Sequence, residues 1–194
     1  MSSHINILPW TSPLSTNPSS TPKPPAYLSS TLIGTWSLQS YNYHPLSSPT
    51  TKHHPLSSNA QGSIVYSPDG YMSASVVRPG QPHFSDGGGL APDTSGTLED
   101  WELVGRNFIA YSGRYWVADD EETGREVVWH EMSVCSLPSL RGVVAKRSAR
   151  LEEVDGVKVL TLGVEGVELG GEECEVEVVW RRCEDNAGTK MPGA

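Results

Sequence analysis

Five consecutive runs between Phe108 and Arg182 alternate apolar with polar residues, and little separates them except short turns. The runs are Phe108 to Val117, Glu126 to Cys135, Gly142 to Leu151, Val157 to Gly163 and Cys174 to Arg182. A period of two marks a strand that buries one face. The separators, including Asp119-Asp120-Glu121-Glu122-Thr123-Gly124 and Asp155-Gly156, carry turn chemistry. Upstream, a strand opens at Ile33-Gly34-Thr35-Trp36-Ser37-Leu38 and runs to about Tyr43. A hairpin follows, Gly62 to Tyr66 and Tyr71 to Arg78, joined through Ser67-Pro68-Asp69-Gly70, where proline presets φ and glycine permits the turn. Eight or more short strands in sequence leave exposed edges unless the sheet closes on itself. The expected fold is therefore all-β, an up-and-down antiparallel β-barrel of about eight to nine strands. One short helix interrupts it. Thr97 can cap that helix, with Asp100 three residues on and an apolar stripe of Leu98, Trp101, Leu103 and Val104, and it should end near Gly105.

With 194 residues, the chain suits one domain with a real core. The expected division is a Pro/Ser/Thr-rich leader over residues 1–31, a barrel over 32–183 and a tail over 184–194. A formal charge of -9 repels phosphate backbones and anionic lipid heads, which argues against nucleic acid and membrane partners. Met1 to Leu14 lacks the basic start and continuous apolar stretch of a signal peptide, so a cytoplasmic protein is expected. Three cysteines, Cys135, Cys174 and Cys183, lack the spacing of a zinc site or disulfide framework. His44, His53 and His54 lie in a Pro-bearing loop without a carboxylate in useful register, so no metal site is expected. Gly87-Gly88-Gly89 has no strand before it or helix after it in phosphate-binding register, and is read as part of a loop over Pro79 to Ser95.

Parity assigns the faces. Cys174, Val176, Val178 and Trp180 should point inward on the last strand, as should Val128, His130, Met132 and Val134 on the strand from Glu126. Ile109, Tyr111, Gly113, Tyr115 and Val117 share one inner face, Val143, Ala145, Arg147, Ala149 and Leu151 another, and Met72, Ala74 and Val76 a third, with Arg78 near the rim. Three polar side chains, Tyr115, His130 and Arg147, thus stand on core-facing positions of three strands. A barrel interior holding a few convergent polar groups resembles a small-molecule site more than a packed core. An inward guanidinium needs a carboxylate, phenol, water or anionic ligand, because burying it alone is costly. Tyr115, His130 and Arg147 are the candidate catalytic residues. Tyr66, Met72, Ala74, Val76, Arg78, Tyr111, Met132 and Val178 are the candidate substrate-binding residues. Each polar member also has a purely structural reading, as a core group with its hydrogen bonds satisfied.

At Leu32-Ile33-Gly34-Thr35-Trp36-Ser37-Leu38, Gly70-Tyr71-Met72-Ser73-Ala74, Tyr111-Ser112-Gly113-Arg114-Tyr115, then His130, Pro138, Gly142 and Arg147, the chain resembles the lipocalin-like domain family of short bacterial proteins and fungal secondary-metabolite pathways. The resemblance spans about Leu32 to Arg182 and implies a barrel with a ligand cavity at its mouth. It also implies that Trp36, in a Gly-x-Trp strand at the closed end, packs against Arg181 or Arg182, with parity favouring Arg182. Two functions follow from it. One is a cofactor-free cyclase or isomerase acting on a polyketide-type, largely apolar intermediate, beside a polyketide synthase pathway enzyme. There Arg147 would stabilise enolate charge, His130 shuttle a proton and Tyr115 donate to a carbonyl. The alternative is a non-catalytic binding protein for a small hydrophobic metabolite. No cofactor is expected under either, since the chain carries no dinucleotide fingerprint and no Gly-x-Ser-x-Gly elbow.

Overall fold

The structure is a computed structural model describing residues 27–84 and 95–190. The leader up to residue 26, the Gly87-Gly88-Gly89 stretch and the last four residues lie outside the described residues.

Among the described residues nine antiparallel strands follow in order: β1 (Gly34–Pro45), β2 (Gln61–Tyr66), β3 (Tyr71–Val77), β4 (Phe108–Asp119), β5 (Glu126–Glu131), β6 (Val134–Cys135), β7 (Val144–Val154), β8 (Val157–Leu169) and β9 (Glu172–Arg182). They pair in the order β3-β2-β1-β9-β8-β7-β5-β4-β6, and β3 also pairs with β4. That last pairing closes an eight-strand barrel, leaving β6 as an extra strand beside β4. The turns form where turn chemistry allows them. Asp155 and Gly156 both have positive φ, 52° and 75°, which matches the strand twist in a two-residue hairpin between Val154 and Val157. At the β2–β3 turn the Ser67 N–H donates to the Tyr71 carbonyl at 2.8 Å.

The barrel has two unlike ends. At one, a short helix α1 (Tyr27–Leu32), which strand patterning does not foretell, sends Leu28 and Leu32 into the core around the fully buried Trp36. The Trp36 indole N–H donates to the Leu32 carbonyl at 2.8 Å. Arg182 lies over the Trp36 ring with its guanidinium carbon 4.8 Å from the centroid, and it donates to the carbonyls of Thr31, at 3.1 Å, and Ile33. This is the partner that parity favours. Gly34 makes the contact possible: its φ is +124°, and a Cβ there would sit 2.5 Å from an Arg182 nitrogen. The opposite end is framed by the chain between β1 and β2, by the connection to helix α2 (Leu98–Asn107), by residues 132–143 and by the β8–β9 turn.

Three local expectations differ from the structure. The run from Glu126 to Cys135 is two strands, not one, because Met132 leaves the ladder to exchange backbone hydrogen bonds with Gly142 and Val143, at 2.8 and 2.9 Å. Val134 is consequently 67% exposed rather than inward, and β6 pairs with β4 at Tyr111 and Ser112. Helix α2 has the full capping box, yet it runs past Gly105 to Asn107, whose side chain closes the last turn onto the Leu103 carbonyl at 2.8 Å. Strand β8 continues to Leu169 through an irregularity between Val164 and Val167.

Candidate ligand site

Four strands bring the polar residues of the bore together. Register sets Tyr115 of β4 opposite His130 of β5, His130 opposite Ala145 of β7, and Arg147 opposite Val128. Tyr66, at the end of β2, reaches across the barrel, and its hydroxyl lies 2.8 Å from His130 Nε2. Both residues are shut off from solvent, at 1% and 0% exposure. Around them the Tyr115 ring meets Tyr66 edge-on at 4.9 Å, and the Tyr111 ring lies 6.1 Å from the imidazole.

Burial decides the charge state of this cluster. It pulls His130 down to about 3, and the nearby Arg147 guanidinium pushes the same way, so the ring is neutral at physiological pH. Burial also raises the Tyr66 phenol well above its usual value, reinforced by Tyr111 and opposed by Arg147. Tyr41 is raised by burial too, against the same guanidinium. Two neutral partners therefore share one hydrogen bond, and His130 Nδ1, buried, has no partner among the described residues. If Tyr66 donates to Nε2, the unpaired group is an N–H; in the other tautomer it is a lone pair.

Arg147 is the odd member. On β7 the residues Ala145, Arg147, Ala149 and Leu151 are half-buried while Val144, Lys146, Ser148 and Arg150 are exposed, so Arg147 points into the bore. No hydrogen bond or ion pair to its guanidinium forms among the described residues. Tyr41, Tyr111 and Val178 face the same space and are likewise half-buried. Inward side chains that still meet solvent mean that solvent reaches part of the bore. The walls are apolar, from the buried Met72, Ala74, Val76, Val128 and Leu162.

The remaining candidates stand as follows. The Tyr115 hydroxyl donates to the Ser67 carbonyl at 3.0 Å, so it serves the β2–β3 turn rather than facing the bore. Arg78 is exposed at the rim, with Nη2 3.5 Å from the Pro55 carbonyl, and Met132 is buried where the chain leaves β5. Tyr41 escaped the sequence reading. A bulge at Gln39 shifts the β1–β9 register between Leu38 and Ser40, which turns Tyr41 toward Val178 on the inner face. The signal was present: apolar parity is even at Trp36 and Leu38 and odd at Tyr41 and Tyr43. A separate groove of about 280 Å³, lined by Ser73, Ala110, Tyr111, Ser112, Val134, Cys135 and Ser136, lies on the outward-facing side of β3 and β4, away from Arg147 and His130.

A closed antiparallel barrel with Trp36 under an arginine of the last strand at one end and a polar cluster in its interior agrees with the family model that matches residues 33–183, described as a lipocalin-like domain. The chain belongs to the lipocalin-like domain family. Among curated proteins, this lipocalin-like chain is similar to a 4'-hydroxy-3'-methoxypropiophenone carrier protein of Aspergillus oryzae (strain ATCC 42149 / RIB 40). The two are 36% identical over 84 residues, 42% of this chain and 71% of that protein.

Proposed function

We propose that this lipocalin-like protein binds a small aromatic or otherwise largely apolar metabolite in the open half of its barrel and carries it unchanged, an aryl ketone bearing a phenol being the favoured class. The observation that carries the reading is the inward Arg147, without a partner among the described residues, above apolar walls and neutral phenols. A guanidinium in such surroundings is poised to bind a carbonyl or phenol oxygen, and the walls accept the ring and alkyl chain. The relative named a carrier of a propiophenone points to the same ligand chemistry.

The cyclase or isomerase reading has less support. Proton transfer needs a group whose pKa lies near the working pH, and His130 is far below it with its Nε2 occupied by Tyr66. The Tyr115 hydroxyl is taken by Ser67. What remains is a cation without an adjacent base, which suits holding a ligand better than changing it.

Isothermal titration of the purified protein with 4'-hydroxy-3'-methoxypropiophenone, followed by mass analysis of the recovered ligand, tests the proposal. The expected result is one-to-one binding with the ligand recovered intact. Conversion of the ligand to a new compound, lost in Arg147→Met, would return the catalytic reading.

A further inference from the structure

We propose that the bore takes its ligand as a resonance-stabilised oxyanion, such as the phenolate of a para-acyl phenol, with Arg147 supplying the counter-charge. This rests on the carrier reading and specifies the charge state of what is carried.

The surroundings of Arg147 supply the argument. Its neighbours along β7, Ala145 and Ala149, are too small to cover the guanidinium and offer it no acceptor. Across the bore it is faced by Tyr41 from β1, Tyr66 from β2, Tyr111 from β4 and His130 from β5. None is a carboxylate: Tyr41 and Tyr66 are held as phenols by burial, and His130 could only add positive charge. The inward residues of β3, β8 and β9 beside it, among them Ala74, Leu162 and Val178, bring no charge, and Arg182 of β9, a cation itself, is held over Trp36.

A half-buried cation therefore lacks an internal counter-ion among the described residues, in a protein whose net charge is -9. An isolated charge in a low-dielectric space is unfavourable until an opposite charge joins it, and the attraction between the two is far stronger there than in water. A neutral ligand gives Arg147 one hydrogen bond; an oxyanion gives it a charge-assisted one, with a phenol nearby to donate a second. The two forms of one ligand thus differ in affinity, and the difference appears as a lowered pKa of the bound ligand, tenfold in affinity for each unit.

The test uses the whole protein and two probes. One is 4'-hydroxy-3'-methoxypropiophenone, whose phenolate absorbs at longer wavelength than its phenol. The other is its methyl ether, 3',4'-dimethoxypropiophenone, which cannot ionise. The bound phenol is expected to show phenolate absorption at least one pH unit below its transition in free solution, and the ether to bind at least tenfold more weakly. Arg147→Met should abolish the spectral shift and bring the affinities of phenol and ether to within about threefold of each other, with an unchanged cooperative thermal unfolding transition reporting that the variant is folded; Arg147→Lys should keep part of the shift. A bound spectrum of neutral phenol, with the ether binding equally well, overturns the anion proposal and leaves the carrier reading standing. Absence of binding by both probes overturns the carrier reading beneath it.

Discussion

Lowering the pH from 7.5 to 5 should destabilise this barrel through a single buried ring. His130 is held near 3 in the folded protein by burial and by Arg147, while an unfolded chain leaves histidine near its ordinary value of about 6.5. Between these values the unfolded state binds a proton that the folded state refuses, so stability falls as pH falls. The contribution is fully present above 6.5. By pH 5 about 1.5 pH units of that window have been crossed, a loss of about 2 kcal/mol at about 1.4 kcal/mol per unit. The loss levels off near pH 3, where the folded ring would itself protonate. Urea denaturation at the two pH values measures it, with the double variant His130→Leu, Tyr66→Phe as reference. Removing both partners leaves no orphaned donor, so the reference should fold while shedding the histidine's share of the pH dependence. Other histidines and carboxylates titrate in both proteins and cancel in the difference. If the two lose equal stability between pH 7.5 and 5, or if proton NMR shows the His130 ring titrating above pH 5.5, the buried neutral pair is wrong.

Gly34→Ala should cost about 3 kcal/mol or more, from positive-φ strain and from pushing Arg182 off its carbonyl acceptors, and a chemical melt within 1 kcal/mol of the parent would refute the wedge. Tyr115→Phe should lose about 1 kcal/mol with its bond to Ser67, and leave ligand affinity within twofold; a tenfold weaker affinity in the titration would return the phenol to the bore. Deleting Gln39 should be tolerated within about 1 kcal/mol, because the residue has no partner across the strands and its removal regularises the ladder with Tyr41 still inward. Thermal unfolding shows the outcome, and an unfolded deletion variant would mean that the bulge is needed for closure.

The strand pattern was legible because each buried face repeats every two residues: Met72, Ala74 and Val76 on β3, and Cys174 and Trp180 on β9, are buried where parity puts them. The capping box of α2 was legible for a similar reason, since its two partners are three residues apart. Illegible features were those set by register over long separations. Tyr66 meets His130 across 64 positions, and Tyr115 finds Ser67 across 48, so no local period announces which hydroxyl is occupied and which is free. Tyr41 was hidden by one extra residue, since a bulge resets parity without changing composition. Val134 failed because the backbone turned away at Met132, and an alternating pattern persists in a sequence whether or not the ladder does.

The unequal ends of the barrel bear on the choice between carrying and converting. Trp36, Leu32 and the Arg182 cap close one end, where they pack together and hold it rigid. Inside the barrel the polar groups divide by partner: His130 and Tyr66 are bonded to each other, and Tyr115 is bonded to the β2–β3 turn. The Arg147 guanidinium has no hydrogen-bond or ion-pair partner among the described residues, and a guanidinium cannot act as a base because it does not lose its proton in a protein. Reaction chemistry would need the ligand to bring its own base, or to need nothing beyond restraint. Arg147 can still stabilise negative charge, and negative charge already present on the ligand is bound as readily as charge developing in a reaction. The distinction is therefore one of ground state against transition state. A bore that lowers the pKa of a bound phenol has its preferred charge distribution in the ground state, and extra stabilisation there makes the bound ligand harder, not easier, to convert.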